Sequence, residues 1–176
     1  MKFGKYKYEQ YEIPDPCVLD VADQFYKGAM VLHGQPAFSG VVVPMITNAV
    51  LSLELYIKSL NTISVIKEYE DFGNGVKGGK VTGVPRVKVH TLSLLLGAIP
   101  KEVIDNINEI YAEGASKYSF DDLIELVKKY DTLFVDVRYS FENDVLAGFN
   151  FVDLFNCIDA IKTVIKNIKP IHWAYL

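Results

Sequence analysis

The stretch that most constrains the fold is residues 48–60, NAVLSLELYIKSL. It is rich in strong helix formers and holds neither Gly nor Pro, which predicts one helix. At about 100° per residue, Ile46, Val50, Leu53, Tyr56, Ile57 and Leu60 share a broad face, and Leu51 and Leu55 lie almost opposite. A surface helix shows one apolar stripe and a wide polar back; apolar residues on two sides predict a central helix packed twice over. Between those sides runs a narrow polar stripe of Thr47, Glu54, Lys58 and Asn61. Glu54 and Lys58, one turn apart, read either as an ion pair at a groove's edge, contributing about 0.2–0.5 kcal/mol, or as the lining of a polar site.

Around this helix the chain is punctuated by caps and breakers. Residues 1–16 alternate aromatic and polar side chains and end in Pro14 and Pro16, the pattern of an extended arm. Asp15 is placed to cap a first amphipathic helix over 17–32, closed by Gly34 and Pro36. Ser39, Gly40 and Pro44 stand where the central helix should start. His90-Thr91 opens a helix that Pro100 ends, and residues 101–113 form another, with Gly114 after it. Ser119 and Asp122 make a capping box for one long helix that carries Arg138, Tyr139 and Glu142 near its end. Asn150 caps a last helix, in which Lys162, Lys166 and Lys169 recur, before the tail PIHWAYL, expected to pack back through Trp173. The expected architecture is one all-α domain, 1–176, of five or six helices.

Residues 67–89 contain five glycines and Pro85 and cannot be regular helix. They read as a Gly-rich basic loop: Lys77, Lys80, Arg86 and Lys88 occur with no acid between them. Four valines leave room for a short hairpin. A P-loop is rejected, because Asn74 stands where the first Gly belongs and Val81 where a magnesium-binding Ser or Thr is needed.

Composition narrows the class. Half of the 176 residues are hydrophobic and 23% charged, which suits one folded domain with a real core. A net charge of −4 argues against bulk attraction to nucleic acid or membrane while allowing a local basic patch. No secretory signal or long apolar span is visible, so a soluble, cytoplasmic protein is expected. Cys17 and Cys157 read as small hydrophobes in a reducing compartment, or as one disulfide. Three scattered His and two Cys give no ligand spacing, so neither a metal nor a cofactor is expected.

Taken in order, Ala49, Glu54 and Lys58, then His90, Leu92 and Leu95, then Arg138-Tyr139 resemble the HEPN superfamily of helical domains over roughly residues 18–168. The resemblance implies an antiparallel helical bundle, often a homodimer, that binds RNA or nucleotides. Many such domains are metal-independent ribonucleases whose Arg is followed, after four to six residues, by a His. Here Asn143, Asp144 and Val145 occupy those positions. On this reading Lys58 and Arg138 hold phosphate, with Lys80 and Arg86 adding charge from the basic loop, and Tyr139 positions or stacks. His90 stands in as acid/base, with Glu54 or Glu142 as an alternative base, since Arg stays protonated. The bland alternatives are a capping His90 and an Arg138–Glu142 ion pair. They belong with a non-catalytic interaction module, such as the partner of a nucleotidyltransferase antitoxin.

Overall fold

A computed structural model describes residues 9–36, 39–139 and 149–175. The first helix, α1 (Pro16–His33), starts where Asp15 accepts the backbone N–H of Val18, with Pro16 at the first helical position. The central helix, α2 (Val42–Ser59), lies antiparallel along it in an α-hairpin, and the Asp15 N–H donates to the Ser59 carbonyl at 2.8 Å to join the far ends. Met45, Ile46, Ala49, Val50, Leu53, Tyr56 and Ile57 are all buried on α2. Leu55, on its other side, is half-buried against the same core. One apolar side is therefore fully covered within the chain and the other partly.

Four short helices follow: α3 (Leu92–Gly97), α4 (Lys101–Ala112), α5 (Phe120–Lys128) and α6 (Leu133–Arg138). The last, α7 (Phe151–Asn167), returns against α2, its start capped by Asn150, whose side chain accepts from the N–H groups of Val152 and Asp153. The capping box is complete: Ser119 accepts from the Asp122 N–H while Asp122 accepts from the Ser119 N–H.

The all-α expectation is corrected to a mixed α/β fold. Four strands, β1 (Glu9–Ile13), β2 (Thr62–Gly73), β3 (Val76–Pro85) and β4 (Ile171–Tyr175), form one antiparallel sheet in the order β3-β2-β1-β4. The reason lies in the residues after α2. Thr62, Ile63, Val65 and Ile66 are β-branched and suit a pleated, half-buried surface. Asn74-Gly75 then supplies the turn, with φ of 52° and 79°, which is the two-residue hairpin geometry that demands positive φ at both positions. Most of the expected loop is thus a long hairpin. The C-terminal tail adds the fourth strand, Tyr11 opposite Trp173 and Ile13 opposite Ile171.

The long helix expected after Ser119 is instead two, α5 and α6, separated at Lys129–Thr132. Asp131 leaves the helical path to accept from the Ser93 N–H at 2.7 Å and the Ser93 hydroxyl at 2.5 Å, placing a carboxylate at the first turn of α3. Residues 1–8 of the arm, and Glu142, Asn143, Asp144 and Val145, lie outside the described residues.

Candidate functional site

The polar stripe of α2 carries the site. Glu54 is buried, its side chain only 6% exposed, in a helix whose neighbouring turns face the core. A carboxylate so placed needs compensation, and two side-chain nitrogens supply it at one oxygen. Lys58 Nζ lies 2.5 Å and His90 Nδ1 3.0 Å from Glu54 Oε1. The Glu-to-Lys direction over one turn is the favourable one, and Lys58 lies in the last turn of α2, where the helix dipole favours positive charge.

His90 arrives from the connection between β3 and α3. That connection is fixed at its start by the Arg86 N–H, which donates to the Asn61 carbonyl at 3.0 Å just beyond the end of α2. The segment then passes along the C-terminal part of α2, which brings residue 90 beside residue 54. The His90 side chain is 75% exposed. An ionised Glu54 can only accept, so the neutral imidazole carries its hydrogen on Nδ1 and turns the Nε2 lone pair towards solvent. A carboxylate holding the rear nitrogen of an imidazole fixes its tautomer and orientation.

Glu54, Lys58 and His90 therefore meet. Arg86 is tied by its backbone to the end of the same helix. Lys80 is exposed on β3, opposite Lys67 of β2, away from the base of the hairpin. Arg138 and Tyr139 end α6, and the Arg138 guanidinium stacks 3.9 Å from the centre of the Phe134 ring. Among the described residues no hydrogen bond or ion pair joins Arg138 to Glu54, Lys58 or His90. The Glu142 alternative lies outside those residues.

A second polar cluster was not legible in the sequence. Tyr26 donates to Asp159 Oδ1 at 2.8 Å, Tyr56 donates to Asp23, and Lys162 Nζ lies 3.8 Å from Asp23 Oδ1 and 3.6 Å from the Tyr26 ring centre. Burial, reinforced by Asp159, pushes the Tyr26 phenol up to about 12. Burial, reinforced by Asp23, pushes the Tyr56 phenol higher. Burial lowers the Lys162 ammonium, against the pull of Asp23 and Asp159. The signal that could have found it is a helix-face match: Asp23 and Tyr26, like Asp159 and Lys162, are three residues apart.

Among the described residues no group of His, Cys, Asp and Glu is arranged to hold a metal, and no helix is long and apolar enough to cross a membrane. Compared with known family models, curated proteins and solved structures, the chain matches none.

Proposed function

We propose that this chain is a HEPN-like protein that binds RNA or nucleotide phosphate, with His90, held by Glu54, as its acid/base group and Lys58 as its phosphate-facing cation. The observation that carries the reading is the sharing of Glu54 Oε1 by Lys58 Nζ and His90 Nδ1. Placed against RNA, His90 Nε2 takes the 2′-hydroxyl proton as that oxygen attacks the adjacent phosphorus. The imidazolium, stabilised by Glu54, returns a proton to the departing 5′-oxygen, leaving a 2′,3′-cyclic phosphate. Lys58 keeps two N–H donors for the non-bridging oxygens, whose charge grows in the transition state. Arg86, at the end of the same helix, adds positive charge.

The test is incubation of the purified protein with single-stranded RNA, with and without EDTA, against His90→Ala. Cleavage that survives EDTA and is lost in the variant supports the reading; binding and cleavage both unchanged in the variant would remove it.

The second reading, a non-catalytic module acting as a homodimer or with a partner such as an antitoxin in the cytoplasm, is favoured by one observation. Arg138 stands outside the Glu54 cluster, on an α6 surface where Val135 is 53% and Tyr139 50% exposed. Sedimentation equilibrium distinguishes a self-associated species from the 19.8 kDa chain.

A further inference from the structure

The hairpin of β2 and β3 is only partly used by that site, and its outer strand has a feature of its own. Strand β3 ends the sheet order, so among the described residues nothing pairs with its outer side. Pairing with β2 is unbroken from Thr62–Pro85 to Lys67–Lys80, and the irregularities lie nearer the turn. In an antiparallel ladder the N–H and C=O groups of alternate residues point to the same neighbour. The Arg86 N–H points inward, to the Asn61 carbonyl. Counting back by twos, Val84, Thr82 and Lys80 also point inward, so the backbone groups of Val81 and Gly83 point out. Pro85 falls in the outward set, where a missing N–H costs no ladder bond.

The outward pair is also open to solvent. Gly83 has none, and Val81 is 63% exposed. Edges that must stay single are blunted by Lys, Pro or bulges; here Lys80 and Pro85 stand at the two ends of the run, and Val81 to Val84 between them keep an unbroken register. The strand's charge says what would fit. Strand β3 carries Lys77 and Lys80 and no acid, and Arg86 and Lys88 follow it. A second copy would set one basic strand against another, which cross-strand pairing disfavours. An acidic strand would be complementary.

We propose that the outer edge of β3 is a docking site for an extended acidic peptide, which joins the sheet as a fifth strand through the backbone groups of Val81 and Gly83. Backbone bonds supply the grip, and Lys80 with its basic neighbours selects for Glu or Asp.

The test uses a fluorescent, end-blocked (Glu-Thr)4 peptide and its (Lys-Thr)4 counterpart, read by anisotropy at low salt. The parent should bind the acidic peptide saturably and not the basic one. Val81→Pro, which removes one outward N–H and no inward one, should weaken binding at least ten-fold, and Lys80→Glu should do likewise. Amide exchange on the unmodified protein gives an answer even where Val81→Pro folds poorly: Val81 and Gly83 should gain protection with peptide, and Lys80 and Thr82 should not. Absence of saturable peptide binding, equal binding by folded Val81→Pro, unchanged Val81 and Gly83 exchange, or a hairpin that takes single-stranded RNA but not the peptide would each overturn the proposal.

Discussion

Tyr26 on α1 donates its hydroxyl hydrogen to Asp159 on α7 at 2.8 Å, so the two helices are joined by a hydrogen bond between residues 133 positions apart. The same phenol lies under the Lys162 ammonium. Its proton is held in the folded state, with the phenol raised from 10.0 to about 12. A raised folded value means stability that is complete below pH 10 and is lost as pH climbs through about 12. Urea unfolding between pH 8 and pH 11 should show the decline, and Tyr26→Phe should make it shallower. At pH 7 the same variant should cost about 0.5–1.5 kcal/mol, the ordinary worth of a hydrogen bond.

Glu54→Gln keeps the shape of the side chain and removes its charge. Imidazolium then loses its stabilising partner, and Lys58 its counter-ion. If the chain cleaves RNA as proposed, the rate should fall by about 10²-fold or more, with RNA affinity little changed. Single-turnover rates and filter binding on the same preparations check it; an unaltered rate would mean that Glu54 serves stability alone.

Arg138→Ala removes the guanidinium from the Phe134 ring, a loss of about 0.5–1 kcal/mol at an exposed site. If Arg138 serves phosphate, RNA binding weakens and its salt dependence shallows, and Arg138→Lys restores only part, because a point charge does not reproduce a two-pronged contact. Thermal melts and binding at two salt concentrations separate the effects. An unchanged salt slope would assign Arg138 to the interaction surface.

The two thiols should behave differently. Cys17 is exposed and Cys157 is buried, with burial pushing its thiol up to about 12. Thiolate is the reactive form, so a thiol reagent should label Cys17 quickly in the native protein and reach Cys157 only on denaturation. Rapid labelling of both would contradict the packing of α7.

Leu53, fully buried on α2, sits on the side of the helix covered by its neighbours. Leu53→Ala should cost about 2–5 kcal/mol, depending on how far the cavity collapses. Calorimetry would show it as a lowered melting temperature with the helical signal intact below the transition.

The parts of this fold legible in the sequence are those decided locally. The burial of α2 follows from apolar residues on two faces, and the caps at Asp15, Ser119 and Asn150 form through bonds to residues two or three positions away. The hairpin had its local signal in Asn74-Gly75, but the glycines around it weighed towards a loop. Pairing of β1 with β4 joins opposite ends of the chain, and no periodicity within either end encodes the other. The break between α5 and α6 depends on Ser93, 38 residues before Asp131. The site divides in the same way: Glu54 and Lys58 share a helix face and could be paired on paper. That His90 completes them depends on a connection anchored through Asn61 and Arg86, a tertiary bond. The sequence does not place Arg138 relative to them, and among the described residues no hydrogen bond or ion pair joins it to Glu54, Lys58 or His90.

The Asn61–Arg86 bond closes the hairpin at its root, and among the described residues β1 pairs with β2 at Ser64 and Val65. The turn at Asn74-Gly75 lies at the opposite end of the hairpin from that bond. Residues can be added to or trimmed from its free end around Asn74 while the clamp at the root keeps His90 in register with Glu54. The length of the hairpin at its turn is therefore separable from the spacing of His90 and Glu54 at its root.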